Sequence, residues 1–136
     1  MFQLFREIFK PVFAYLGNRD FREWMKVKSS CRKKNPGTPV TLTISGFKIS
    51  GNDAPSFMHQ YEGIFVNRSF ETDFEKKDPL IYCCGANIGL ELFFFKKQFP
   101  GCRIRAFEAD PEIAKTLAEN VSRNKLENTE TISAAV

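Results

Sequence analysis

The sequence predicts an α/β fold built on a parallel sheet, and three observations carry that prediction. Residues 80–84 read LIYCC, a near-continuous apolar run that is typical of a parallel strand covered on both faces. A segment of helical length follows it, and a second strand, a second helix and a third strand are then expected in that order. Strands that alternate with helices in this way run parallel with right-handed crossovers. Residues 80–136 are therefore expected to form half of a doubly wound sheet.

The N-terminal segment is predicted to form a basic, aromatic and amphipathic helix. Apolar residues recur at helical spacing through residues 2–16, and Pro11 is expected to bend or divide the helix. Cations beside an apolar face favour peripheral contact with an anionic membrane surface. Packing of the helix against its own domain or a partner is the competing interpretation. Nucleic-acid binding is not expected, because no recognised motif accompanies the charge.

A second helix, over residues 20–28, leads into a loop. Residues 29–39 read SSCRKKNPGTP, and their Ser, Asn, Pro and Gly content indicates irregular backbone. We therefore expect a helical extension over residues 1–38 and a folded body over residues 39–136.

The folded body is predicted to begin with a β-hairpin. The stretch VTLTISGFKIS alternates apolar and polar residues about Ser45 and Gly46, as two short strands around a tight turn do. Residues 52–65 look irregular or briefly helical, and residues 67–79 form a polar connection to the half-sheet.

Local signals fix the elements of the half-sheet itself. GLELFFFKKQF is predicted as its first helix, GCRIRAFEAD supplies the second strand, and TETISAAV begins the third. Asp110 is expected to cap the second helix and Pro111 fits its first position. One apolar stripe is expected along that helix, formed by Ile113, Leu117 and Val121.

Length and composition bound the class of protein. At 136 residues with ordinary apolar and charged content, the chain is large enough for one hydrophobic core. The sequence has no run of about 18 uncharged apolar residues, so no membrane-spanning helix is predicted. The N-terminus lacks a small-residue cleavage site and does not read as a secretory leader. A cytoplasmic location is the default expectation.

The cysteines are expected to be reduced and structural. Cys31, Cys83, Cys84 and Cys102 are predicted to be free thiols that pack as small hydrophobes. Cys83 and Cys84 point to opposite faces of one strand, and core packing is expected for both. No metal site is expected, because the chain has no Cys-x2-Cys pair and its only histidine is His59. We expect His59 to be an ordinary, partly exposed residue.

The glycine turn, residues 85–89 (GANIG), is the candidate functional site. Ligands of open parallel sheets bind beyond the carboxyl ends of the strands, where this turn lies. Gly85 and Gly89 allow unusual backbone angles and a close approach, and N–H groups at the start of the next helix are expected to face outward unpaired. Glu108 follows Gly89 by about 20 positions, the separation at which Rossmann-like folds place a ribose-binding carboxylate. Neither the GxGxxG fingerprint nor a P-loop is present.

Residues 40–136 resemble FkbM-type methyltransferases in their cofactor-binding half, on the GANIG turn, the FEADP segment, the Asn120 and Asn124 neighbourhood and the NTETISAAV strand. The resemblance implies a Rossmann-like class I methyltransferase fold and S-adenosylmethionine as cofactor. It implies that the methionine end lies at the turn, on Gly85, Ala86, Asn87 and Gly89, that Glu108 holds the ribose hydroxyls, and that Ala109 lies near the adenine. Members typically methylate hydroxyl groups of sugars or secondary metabolites, so a small-molecule or glycan acceptor is expected.

Two departures from the family qualify this expectation. The family usually has Asp two residues before the first glycine, where this chain has Cys83, and a neutral thiol lacks the charge of a carboxylate. The chain also reads as an N-terminal part with about three core strands, so the catalytic base is not identified. The alternative hypothesis is a non-catalytic cofactor-binding fragment or an interaction module that associates through an unpaired sheet edge.

Overall fold

The computed structural model describes residues 18–136, so the helix predicted at residues 2–16, with its membrane contact, lies outside the described residues. A π-helical turn, Glu62–Val66, directly follows the second helix described. The helices are α1 (Arg19–Cys31), α2 (Ala54–Tyr61), α3 (Leu90–Gln98) and α4 (Pro111–Arg123), and the strands are β1 (Val40–Ile44), β2 (Phe47–Gly51), β3 (Leu80–Cys84), β4 (Arg103–Glu108) and β5 (Thr129–Ser133). Within residues 18–136, no helix is long and apolar enough to cross a membrane.

The two predicted sheets are present with the predicted strand directions. β1 and β2 pair antiparallel, and Ser45 and Gly46 between them both have positive φ, at 50° and 89°, which suits the tight turns of hairpins. β3, β4 and β5 pair in parallel in chain order, with Cys83 opposite Ala106. The alternation of strands and helices therefore predicted the sheet correctly.

The predicted elements around these sheets are also confirmed. Asp110 caps α4 by accepting hydrogen bonds from the N–H groups of Glu112 and Ile113, and Pro111 is the first residue of the helix. The α4 stripe packs on the core, with Leu117 fully buried. α1 runs on to Cys31, into the predicted loop, because Val27 and Cys31 are buried in the same core as the hairpin and the parallel sheet.

The prediction that β3 is covered on both faces is wrong. Ile81 and Cys83 are buried, whereas Leu80 and Tyr82 are 45% and 54% exposed and Cys84 is also exposed. An apolar run indicates a strand, but it does not predict which other elements pack on each of its faces. Tyr82 stacks on Phe107 of β4, at 6.4 Å between ring centroids, and so gains only partial shelter. The expected core role of Cys84 is therefore also wrong, although all four cysteines are free.

Helix α3 lies at the centre of the core and is buried from Leu90 through Lys96. Phe93 contacts Phe47 of the hairpin, with ring centroids 5.1 Å apart. The buried Lys96 donates from Nζ to the carbonyls of Cys102 and Glu127, at 2.6 and 2.5 Å, so its charge is solvated by backbone. Phe93, Phe94 and Phe95 are core residues.

An amide seam, formed by Asn120 and Asn124 of α4 against Lys48 and Ser50 of β2, joins the hairpin to the parallel half. Asn124 Oδ1 accepts from Lys48 N–H and its Nδ2 donates to Lys48 O, both at 2.8 Å. Asn120 makes the same pair of bonds with Ser50, at 2.9 and 2.8 Å. Residues four apart on a helix and two apart on a strand have similar spacing, which lets two amides bond along one strand edge.

Candidate functional site

Residues of the glycine turn take the backbone angles that the sequence predicted for it. Gly85 and Gly89 have φ of 73° and 89°, and Asn87 between them has φ of 49°. A side chain at Gly89 would be strained twice, because its Cβ would also lie 2.6 Å from Leu117 Cδ1. The close approach that Gly89 permits is therefore to α4.

Gly85 has the opposite surroundings. It is exposed, and a Cβ built there would meet no atom of the described residues within 4 Å. The space above Gly85 is therefore open, at the carboxyl end of β3, where open parallel sheets bind their ligands.

Glu108 faces the turn from the end of β4. Its Oε2 accepts from Asn87 N–H at 2.8 Å, and its Oε1 accepts from Asp110 N–H at 2.9 Å. Each carboxylate oxygen has a second lone pair, so both can still accept from a ligand hydroxyl. These two bonds fix the carboxylate, half-buried, between the turn and the start of α4.

Most N–H groups of the turn are already bonded within the protein. Ala86 donates to Phe107 O, Ile88 to Asn87 Oδ1, and Gly89 to Ala86 O, each at 2.8 Å. Leu92 N–H donates to Gly89 O at 3.0 Å. The expectation that the helix start presents unpaired donors is therefore wrong at Gly89 and Leu92, because the tight turn closes on itself.

A side cavity of about 620 Å³ opens beside the turn, along β3. Gly85 and Asn87 lie on its wall together with Glu91 of α3 and His59 of α2, and the π-helical turn closes one side. Its volume lies in the range of small-molecule sites. Four residues of β3 also line the wall, namely Ile81, Tyr82, Cys83 and Cys84.

Glu91 is the residue of this cavity with the most unusual electrostatics. It is 9% exposed, and burial raises the pKa of its carboxyl to about 8, with the charge of Glu108 adding to the rise. Burial likewise raises the pKa of the neighbouring Cys83 thiol to about 12, so that thiol stays neutral. Across residues 18–136, no group of three or more His, Cys, Asp or Glu could hold a metal ion.

The structure brings together most of the residues that the sequence nominated. Gly85, Asn87 and Glu108 converge on the open side of the turn, and Ala109 is exposed directly after Glu108. Ala86 and Gly89 are buried and shape the turn from below.

Sequence reasoning passed over Glu91 and gave no structural role to Asn120. Glu91 is the second residue after the turn, and its signal was an acid inside the otherwise apolar stretch LELFFF. Asn120 was noted within the family resemblance, but its bonds to Ser50 and to Ile88 O, the latter at 3.0 Å, join segments distant in sequence.

Comparison with known proteins yields one relative of known class and several related folds. No family model matches the chain. The chain is 33% identical over 64 residues to methyltransferase sdnD of Sordaria araneosa, a span of 47% of this chain and 25% of that protein. The chain therefore spans about a quarter of the length of the curated relative that it matches.

Two solved structures share the architecture. TYW2 of M. jannaschii, solved in complex with AdoMet, matches 74% of this chain and 45% of its own with a TM-score of 0.57 at 20% identity. TYW2 of P. horikoshii, solved in complex with MeSAdo, matches 75% and 38% with a TM-score of 0.53 at 21% identity. The fold is thus the Rossmann-like fold of class I methyltransferases, as the sequence predicted, and its described part has three parallel strands.

Proposed function

We propose that this chain binds S-adenosylmethionine at the glycine turn and belongs to an enzyme that transfers its methyl group. The observation that carries the proposal is the placement of Glu108, whose carboxylate is fixed 2.8 Å from the Asn87 N–H while Gly85 beside it leaves open space. The likeness to methyltransferase sdnD, which runs over 64 residues, supports the same class.

The residues of the site fit such a nucleoside in three respects. Glu108 keeps lone pairs for two ribose hydroxyls, as the carboxylate at this place does in Rossmann-like folds. Gly85, without a side chain, lets a ligand approach the backbone. Ala109 is small and exposed directly after Glu108, where the adenine is expected, so no bulky side chain stands at that position.

The acceptor is, in this proposal, a hydroxyl of a small molecule or glycan, which the resemblance to FkbM-type methyltransferases supports. The bound cofactor supplies an electrophilic methyl on a sulfonium, which is a good leaving group. The chain's own part is to hold the nucleoside by Glu108 and the turn, so that the reactants meet in line. No catalytic base is assigned among residues 18–136.

A titration with S-adenosylhomocysteine tests the proposal. The folded chain should bind one equivalent saturably, and Glu108→Gln, which is isosteric but removes the charge, should weaken binding about tenfold or more. Glu119→Gln is the matched control, because it removes the same charge from an exposed position of α4. Absence of saturable binding by the folded protein would contradict the proposal.

A second candidate function, an interaction module, is favoured by the exposed outer face of the parallel sheet. Leu80 and Tyr82 are about half exposed there, and within residues 18–136 neither β3 nor β5 has a partner strand on its outer edge. Exposed apolar residues beside open strand edges favour pairing with another chain. Sedimentation of the purified protein separates the two candidates, since a well-folded monomer would argue against the module.

A further inference from the structure

The carboxylate of Glu91 has no partner that accounts for its burial. Among residues 18–136, its own backbone N–H is the one donor close to it. A carboxylate that is 9% exposed loses most of its hydration, and such groups are ordinarily paired with a cation or with several donors. The side chain also borders the side cavity, so a partner can reach it from there.

The groups around Glu91 offer it no countercharge. Cys83, Cys84 and Tyr82 of β3 line the same cavity, Glu108 acts on Glu91 from the end of β4, and His59 borders the cavity from α2. None of the cavity residues among the described ones is Lys or Arg. Burial and the charge of Glu108 therefore both hold the pKa of Glu91 high, and a cation bound in the cavity would lower it.

The identity of the neighbouring residue, Cys83, gives a reason for a carboxylate at Glu91. Cys83 stands two residues before Gly85, where the family that this chain resembles usually has Asp. Its thiol is neutral, with a pKa raised to about 12, and the charge of Glu91 is among the causes of that rise. The two side chains thus lie within electrostatic reach of each other, on β3 and on the facing helix α3.

The ligand of the proposed function has a group that matches this site. S-adenosylmethionine and S-adenosylhomocysteine both carry an α-ammonium at their amino-acid end, which donates hydrogen bonds and bears a positive charge. A buried carboxylate without a countercharge is the complement of such an ammonium.

We infer that Glu91 binds the α-ammonium of the nucleoside ligand and so replaces, from helix α3, the carboxylate that Cys83 does not supply. The inference rests on the proposed function and names a specificity residue within it. Glu91 then selects ligands that carry the amino-acid end, whereas Glu108 serves every ligand that carries the ribose.

A pair of ligands tests this assignment. S-adenosylhomocysteine carries the ammonium, and 5′-methylthioadenosine has the same nucleoside without the amino-acid end. Glu91→Gln should weaken binding of the former about tenfold or more and leave the latter within about twofold, while Glu108→Gln should weaken both. Glu119→Gln should leave both affinities unchanged.

Proton linkage provides a measurement on the unchanged protein. If the ammonium binds the charged form of Glu91, binding at pH 7 should release about 0.9 proton per S-adenosylhomocysteine, given a free-state pKa of about 8. Calorimetry in buffers of different ionisation enthalpy measures this number. Methylthioadenosine should release no proton, and His59→Asn should keep the release, which excludes the histidine as its source.

The outcomes separate the two proposals. Equal loss of both ligands in Glu91→Gln, or no loss of either, overturns the role of Glu91 and leaves the proposed function standing. If neither ligand binds the folded wild-type protein, both proposals fall. Should Glu91→Gln not fold, the proton release decides: a value near zero for S-adenosylhomocysteine overturns the inference.

Discussion

Asn120 in the amide seam and Glu91 at the side cavity are both polar and at least nine-tenths buried, yet their surroundings differ completely. Asn120 is fully buried, and its amide bonds to Ser50 N–H, Ser50 O and Ile88 O. Glu91 is nearly as buried, and among residues 18–136 the one hydrogen-bond donor to its carboxylate is its own backbone N–H. A buried polar group whose hydrogen bonds the protein supplies belongs to the fold, whereas a buried carboxylate that borders a cavity and has no countercharge indicates a ligand.

The largest expected effect on stability comes from removing the hydrogen bonds of Asn120. Asn120→Ala should lower the free energy of unfolding by about 4 kcal/mol, because one buried and two part-buried backbone groups lose their partner and a small void remains. Urea denaturation followed by circular dichroism measures the loss. Ser122→Ala, at an exposed position of the same helix, should change stability by less than about 0.5 kcal/mol. A small effect of Asn120→Ala would show that the seam does not hold the two halves together.

The burial of Glu91 without a countercharge should make the stability of the protein depend on pH. The folded-state pKa of Glu91, about 8, lies above the ordinary value of 4.5, so the folded protein keeps a proton that the unfolded chain releases. The free energy of unfolding should therefore fall as pH rises, by about 3 kcal/mol between pH 5 and pH 8 from this group alone. Glu91→Gln should lose that part of the slope.

Denaturation midpoints of both proteins across this pH range measure the difference. Cys83, Glu108 and His59 are present in both proteins, so subtraction of the two curves removes what they contribute equally to each. Parallel curves for the wild type and the variant would contradict the raised pKa of Glu91.

Gly85 and Gly89 offer a second comparison, in which the expected effects on stability are smaller. Gly89→Ala should cost about 2 kcal/mol of stability, because the new Cβ meets Leu117 at 2.6 Å in addition to the strained φ. Gly85→Ala should cost about 1 kcal/mol, from φ alone, since its surroundings are open. Ligand affinity should show the reverse order, because a methyl at Gly85 projects into the open space. Thermal melts and S-adenosylhomocysteine titrations of both variants measure the two orders, and equal losses of affinity would refute the distinction.

The sequence predicted those features that depend on residues close together in the chain. The cap at Asp110, the turn at Ser45 and Gly46 and the alternation of strands and helices are local, and the structure has them where they were expected. The placement of Glu108 at the turn follows from the parallel register of β3 and β4, which the alternation also implies.

The failures arise where segments far apart in the chain meet. Asn120 bonds to Ser50 across 70 residues, and no local pattern encodes that meeting. The exposure of Tyr82 depends on which layers cover the sheet, and composition is silent about layers. The role of Glu91 does not follow from the sequence, because its apolar neighbours indicate a buried helix and the lack of a countercharge is visible only in three dimensions.

The position of the ligand tests the account most directly, by ¹H–¹⁵N spectra of the labelled protein during titration with S-adenosylhomocysteine. Binding at the glycine turn should shift the amides of Gly85, Asn87 and Ala109 and leave the seam amides of Lys48 and Ser50 in place. Shifts confined to the outer face of the parallel sheet, or a spectrum of folded protein that does not change, would contradict it.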